Sequence, residues 1–302
     1  MVNKSNNIIR IGTRGSPLAL WQAKKVNNKL TEGKIIKIKT TGDKINNQPL
    51  TSIGGKGLFT KELDQELING NIDLAVHSLK DVPTIIPKEF DLAYILPRGQ
   101  PEDILISNTN AKDLMSLPKN TLLGTSSPRR HSQIKRIRPD ITIIPIRGNI
   151  LTRLNKIKNN QISATILALA GISRLKINIS YSVLNYAECM PPASQGIIGI
   201  TYLKKNKIIK NKLDYHKNLI TEYQAIGERA VLKVINGDCH SSIAVTSRIN
   251  NKDITISAKV FSTNGSSMIE ASNTGNLEKS EDIGESIGYS LIKKGGLKIL
   301  KL

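Results

Sequence analysis

Asp81 closes the run DLAVHSLKD, and Cys239 lies in VINGDCHSS. Arginines recur in GTRGSP (Arg14), GTSSPRR (Arg129, Arg130) and RGNILTR (Arg147, Arg153). A carboxylate at the end of a strand can move a proton or stabilise a cation. The common alternative for such an aspartate is a turn cap. Guanidiniums beside helix N-termini, where backbone N–H groups are free, make an anion pocket. The thiol has four readings: half of a disulfide, a metal ligand, a nucleophile, or filler.

Only two cysteines, Cys189 and Cys239, occur in the chain, which argues against a disulfide framework. Zinc is a poor fit. The cysteines are far apart, neither belongs to a C-x-x-C pair, and there are four histidines in all, so no metal site is expected. His240 adjoins Cys239, but neighbours in an extended chain point to opposite sides. The thiol's role stays open on these grounds.

The elements that must position these groups are legible. IIRIGT (residues 8–13) reads as a strand, and Ser16-Pro17 opens a helix, with Ser as N-cap and Pro at the first helical position. Ala19, Ala23, Val26 and Leu30 follow at helical spacing. Downstream, LLGT and Ser127-Pro128 repeat the same corner, which suggests a duplicated α/β architecture. Arg14 precedes the first helix, and Arg129 and Arg130 occupy the first turn of the second. Cations there oppose the helix dipole. A local rule broken twice without local gain points to a functional anion site. Arg147 and Arg153 flank a third helix start, and the carboxyl ends of strands are where open α/β sheets bind ligands. The five arginines are therefore expected to converge on one polycarboxylate or phosphate ligand.

Between the two corners, Leu63, Leu67 and Ile68 give a helical stripe with Gly70 as its stop, and IDLAVHS is a buried-type strand. Lys80-Asp81 follows at its carboxyl end. His77 reads as a strand residue satisfied by a backbone group. GGKGLF lacks the spacing of a phosphate-binding P-loop. It reads as a basic active-site loop with Lys56 and Phe59 at its tip.

The chain has 302 residues, 39% of them hydrophobic, enough for two or three domains with cores built from aliphatic side chains. No stretch approaches a membrane span, and the N-terminus does not read as a signal peptide, so a cytoplasmic protein, or one with its targeting segment already gone, is expected. The formal net charge of +20 raises a nucleic-acid partner. No nucleic-acid-binding signature accompanies it and aromatics for base stacking are scarce, so most lysines are assigned to solvated faces.

The runs TRGSPLALWQA, GGKGLFTKEL, DLAVHSLKDVP, GTSSPRR, RGNILTRL, ILALAGISRL, PPASQG and GDC, in this order from Ile8 to Ser242, together resemble the hydroxymethylbilane synthase (porphobilinogen deaminase) family. The resemblance implies an α/β fold: two lobes like periplasmic binding proteins, with mixed sheets, plus a small C-terminal α+β domain. The boundaries would be 1–98 with 197–214, 103–191 and 217–302, with crossovers near 98–103 and 191–196. It implies a transferase of haem biosynthesis that deaminates four porphobilinogen molecules through azafulvene-type cations. They are joined head to tail on a dipyrromethane cofactor, and linear hydroxymethylbilane is released by water. Cys239 would hold that cofactor by a thioether, and Asp81 would be the catalytic carboxylate. Lys80, Asp81, Ser126, Ser127, Arg129, Arg130 and Arg147 would bind the cofactor. Arg14, Ser16, Arg147, Arg153 and Arg174 would bind substrate, with the serines donating hydrogen bonds. Asp238 stands where the family often has glycine, and Ser52 where it often has lysine. A carboxylate beside Cys239 would raise the thiol's pKa and slow cofactor attachment. Cys189 matches no functional position and reads as structural. A monomer is expected, with uroporphyrinogen-III synthase as a downstream partner and neither nucleic acid nor membrane engaged.

Overall fold

The computed structural model describes residues 8–31, 33–44, 57–109, 111–238 and 241–301. Ser52, Lys56, Cys239 and His240 lie outside the described residues.

Both corners form as their sequences dictate. β1 (Ile9–Arg14) runs into α1 (Pro17–Leu30), whose cap Ser16 accepts a hydrogen bond from Ala19 N at 3.3 Å. The predicted stripe of Ala19, Ala23, Val26 and Leu30 is buried. β6 (Leu122–Gly124) runs into α4 (Pro128–Ile137), whose cap Ser127 accepts from Arg130 N at 3.4 Å. A third start, Asn149, caps α5 (Ile150–Lys158) by accepting from Thr152 N at 3.0 Å.

The doubled corner sits in a doubled sheet. In the first lobe β2 (Gly33–Ile38), β1 and β3 (Leu74–Ser78) run parallel. β10 (Ile198–Leu203) then lies antiparallel between β3 and β4 (Phe90–Ala93). In the second lobe β7 (Thr142–Ile144), β6 and β8 (Ala164–Ala168) run parallel, and β5 (Asp103–Ser107) lies antiparallel between β8 and β9 (Ser182–Val183). Each lobe thus receives its antiparallel strand from a chain segment that has just crossed from the other lobe. β3, β5 and β8 are apolar runs buried on both faces, as central strands of a helix-covered sheet must be. Helices α2 (Thr41–Lys44), α3 (Lys61–Ile68), α6 (Leu169–Leu175) and α7 (Lys207–Tyr215) complete the lobes.

The remaining chain forms an antiparallel meander of β11 (Ile243–Asn250), β12 (Asp253–Phe261) and β13 (Met268–Asn276), covered by α8 (Leu219–Val234) and α9 (Ser280–Lys293). The two helices cross where Gly284 meets Gly227: a Cβ on Gly284 would lie 2.1 Å from the Gly227 carbonyl oxygen. This unit touches both lobes. Ser132 on α4 bonds Ser242 Oγ at 3.0 Å and the Thr263 carbonyl at 3.1 Å. Arg229 on α8 donates to the carbonyls of Pro83 (2.6 Å) and Thr84 (2.8 Å), and Thr84 Oγ1 donates to the Gly237 carbonyl at 3.0 Å. No helix among the described residues is long and apolar enough to cross a membrane.

Candidate active site

β3 ends in a tight 3-10 turn, Leu79–Asp81, which delivers Asp81 at the carboxyl end of a central parallel strand. Asp81 lines two clefts at once. One is the first-lobe corner, with Arg14, Ser16, Gln22, Phe59, His77 and Ser78. The other encloses about 870 Å³, part of it open to solvent, and includes Lys80, Ser194, Gly237 and Asp238 in its wall. The two residues before Cys239 therefore stand in the same cleft as the aspartate.

In the first corner, Ser16 Oγ is occupied as an acceptor by the helix cap and keeps its O–H for a ligand. Arg14 pairs with Asp43 at 2.5 Å and stacks on Phe59, 4.1 Å from the ring centroid. Gln22 donates to Ser78 Oγ at 2.8 Å. His77 bonds the Thr201 hydroxyl at 2.9 Å, not a backbone group as the sequence suggests. Burial, reinforced by Arg14, pushes its pKa down to about 4, so it is neutral at ordinary pH and no general acid.

The second corner departs from the expectation of arginines presented to a ligand. Arg129 and Arg130 are buried and close on Asp103, at 2.7 Å each. Arg129 also donates to the Met190 carbonyl (2.5 Å) and Arg130 to that of Ile166 (2.8 Å). Burial alone would raise the Asp103 pKa, but the two guanidiniums more than offset it and hold the carboxyl well below the usual range. The acid stands at the start of α4, so the tertiary fold answers the cations that the dipole opposes. Cys189 is buried at the same node, with Sγ 3.4 Å from Asp103 Oδ2; burial foremost lifts its pKa to about 12, consistent with a structural thiol. Ser127 keeps an O–H beyond its cap, whereas the Ser126 hydroxyl is spent on the Ile146 carbonyl at 2.8 Å.

Gln195 joins this node to the catalytic turn. Its Nε2 donates to the Pro101 carbonyl (2.7 Å) and Asp103 Oδ1 (2.9 Å), which turns its Oε1 to accept from Lys80 Nζ at 3.0 Å. Burial lowers the Lys80 pKa to about 8, against an opposing pull from Asp81. Arg153 donates to the Gly148 carbonyl at 3.0 Å. Its pKa falls to about 10 through burial first and then through Arg130, while Asp81 opposes and Arg147 adds to the fall. Arg153 thus feels the charges of Arg130, Asp81 and Arg147. Arg174 lies elsewhere. It donates to the Gly196 carbonyl (2.5 Å) at the crossover and faces Trp21, 5.5 Å from the ring centroid. It lines neither cleft. Lys56 and Cys239 lie outside the described residues.

Asp43, Asp103, Gln22 and Gln195 have no place in the sequence reading. A signal existed for Asp103: two adjacent first-turn arginines demand a counter-charge, and Asp103 heads the apolar strand DILIS.

The cleft suits a short pyrrole group in size and chemistry. Its walls are largely apolar (Leu79, Val82, Pro192, Ile243), with Lys80, Asp81 and Ser194 as polar contacts. Ser194 Oγ, which lines it, and Arg129 Nε are buried with no hydrogen-bond partner among the described residues. The Ser194 hydroxyl on the cleft wall is thus open to a ligand, whereas Arg129 Nε lies within the Asp103 node. Among the described residues no group of three or more His, Cys, Asp or Glu side chains is placed to hold a metal ion.

Comparison with known proteins agrees with this geometry. Residues 9–211 match the family model for the porphobilinogen deaminase dipyromethane cofactor binding domain, and residues 223–293 match the porphobilinogen deaminase C-terminal domain. The porphobilinogen deaminase of Geotalea uraniireducens is 38% identical over 301 residues, covering 97% of this chain and 93% of that protein. That of Vesicomyosocius okutanii is 40% identical, covering 98% and 99%, and the chloroplastic enzyme of Oryza sativa is 41% identical, covering 96% and 85%. Among solved structures, a probable amino-acid ABC transporter extracellular-binding protein of Bacillus subtilis is similar at a TM-score of 0.45 and 12% identity, covering 74% of this chain and 96% of that one. The family models span both lobes and the C-terminal unit, and relatives match over nearly the whole length: the chain belongs to the porphobilinogen deaminase family, the hydroxymethylbilane synthases of tetrapyrrole biosynthesis.

Proposed function

We propose that the synthase reaction runs at Asp81, with Cys239 anchoring the dipyrromethane group. The carrying observation is that Asp81 lines both the Arg14 corner and the cleft bounded by Gly237 and Asp238. When bound, the dipyrromethane group supplies a nucleophilic pyrrole carbon and a covalent handle for the growing chain. A thiolate suits the anchoring task, being a soft nucleophile whose carbon–sulfur bond persists. The Asp81 carboxylate accepts pyrrole N–H groups and balances the positive charge that develops as porphobilinogen loses ammonia. Arg14, Arg147 and Arg153 take porphobilinogen carboxylates, with Ser16 donating. Lys80 and Ser127 take those of the dipyrromethane. Arg129 and Arg130 act through Asp103: two guanidiniums on one carboxylate leave one positive charge at the base of the site. Arg174 fastens the crossover.

The same reading divides the chain at 1–98 with 197–214, 103–191 and 217–302, which the two five-stranded sheets and the separate meander support. It has the enzyme act as a cytoplasmic monomer upstream of uroporphyrinogen-III synthase; light scattering tests the monomer. Intact mass tests the anchor. Wild-type protein is expected to carry an adduct of two pyrrole units, and Cys239→Ser to fold without adduct or activity. An adduct surviving on Cys239→Ser would sink the assignment and point to Cys189.

A further inference from the structure

The Arg14 guanidinium is held from two directions. Its Nε lies 3.2 and 3.3 Å from the two Asp43 oxygens and its Nη2 lies 2.5 Å from Oδ1, a side-on pair. The far oxygen of Asp43 is itself fixed: Thr40 Oγ1 donates to Oδ2 at 2.8 Å and Thr40 N at 3.3 Å. One face of the guanidinium lies on the Phe59 ring at 4.1 Å. Gly42, next to Asp43, leaves room for that ring, since a Cβ there would lie 2.1 Å from a ring carbon.

A guanidinium offers five N–H donors in a rigid fork. Asp43 takes the Nε/Nη2 edge. Nη1 makes no hydrogen bond among the described residues, so the Nη1/Nη2 edge is left for a second carboxylate. Arg14 lines the Asp81 cleft, and its side chain is 23% exposed. We propose that Asp43 is a positioning residue for porphobilinogen. It locks Arg14 side-on, so that the end-on edge meets a substrate carboxylate already aimed. The proposal rests on the reading that Arg14 binds such a carboxylate. The rival role, in which Asp43 competes with substrate for Arg14, would require Arg14 to leave both the ion pair and the Phe59 ring, since the Thr40 hydrogen bonds hold Asp43 in place.

A double-mutant cycle on the full-length holoenzyme tests this, with KM and kcat for porphobilinogen and the melting temperature as readouts. Arg14→Leu is expected to raise KM roughly 10- to 100-fold, as loss of a charge-assisted partner does. Asp43→Ala is expected to raise KM about 3- to 10-fold, the scale of freeing one long side chain, with kcat within about twofold. In the Arg14→Leu background, Asp43→Ala is expected to add nothing to KM. Asp43→Asn, which keeps the shape and removes the charge, is expected to fall between wild type and Asp43→Ala and serves if the alanine variant does not fold. A lower KM in the Asp43 variants would overturn positioning in favour of competition. An undiminished KM effect in the Arg14→Leu background would show that Asp43 does not act through Arg14, and a lowered melting temperature at wild-type KM would reduce it to a structural role. Wild-type KM in Arg14→Leu would sink the Arg14 reading itself. A raised KM there, with wild-type KM in the Asp43 variants, would overturn the positioning proposal alone.

Discussion

The two corners share a strand, a Gly-Thr pair, a serine cap and a proline, yet they use arginine in opposite ways. Arg14 stands two residues before its cap, at the end of β1, and its pair with Asp43 is about a quarter exposed. Arg129 and Arg130 stand inside the first turn of α4, and their pairs with Asp103 are almost wholly buried. Position relative to the cap decides the outcome. A residue at the strand end projects into the cleft between elements. Residues in the first turn lie over the sheet, where the antiparallel strand β5 offers Asp103 at its first position. One corner presents charge to a ligand, and the other spends most of its charge on holding the second lobe and the crossover together through Gln195.

Removing the two acids separates these roles most sharply. Asp103→Ala leaves two buried guanidiniums without their carboxylate and removes one of the two acceptors of the Gln195 amide. Breaking a buried pair from one side costs about 3–5 kcal/mol. A large drop in melting temperature, or failure to accumulate folded protein, is expected. The partly exposed Asp43 pair is worth at most about 1 kcal/mol by comparison, since solvent screens it. Equal melting temperatures for Asp103→Ala and Asp43→Ala would break the contrast.

The arginines give the next effect in size. The sequence alone suggests that trimming Arg129 relieves the dipole and spares the fold. The structure reverses that expectation, because Arg129 also holds the Met190 carbonyl and lies against Cys189. Arg129→Leu is expected to cost about 1.5–3 kcal/mol of stability. Arg14→Leu is expected to stay within about 1 kcal/mol of wild type while stalling elongation. Calorimetry and the mass distribution of covalent intermediates read both. A stable Arg129→Leu protein with stalled intermediates would show that Arg129 presents charge to ligand after all.

What was legible follows from range. Caps, prolines and the stripe of α1 are local, and Ser16 and Ser127 cap helices where their sequences say so. Asp81 was legible because an apolar strand followed by a polar turn places its end at the sheet rim. The partners Asp43 and Asp103 were not, because each meets its arginine across 26 or more residues of chain. Hydrophobic periodicity carries no record of such pairings. β13 escaped for a different reason. It is an edge strand whose residues are mostly exposed or half-buried, so its alternation is weak.

The smallest effect expected is also the one with two opposite signs. Lys80 lies between the corners, bonded to Gln195 and beside Asp81. Burial is the largest influence on it, with Asp81 and Asp103 opposing and Arg130 and Arg129 reinforcing, and its pKa comes to about 8. A role in holding carboxylates needs the ammonium form, present below that value. kcat/KM is therefore expected to decline as pH rises through about 8, to roughly half its plateau at that pH. Stability moves the other way. The unfolded chain keeps this proton to higher pH than the folded one, so the cost of burying the charge is full below about 8. That cost is relieved as pH rises from there towards the ordinary lysine value. Lys80→Arg keeps the positive charge at all these pH values, so its alkaline limb is expected to shift upward, at a reduced plateau because the guanidinium cannot reproduce the single bond to Gln195. A Lys80→Arg profile that still bends near pH 8 would assign the limb to another group and remove Lys80 from the account of charge in the cleft.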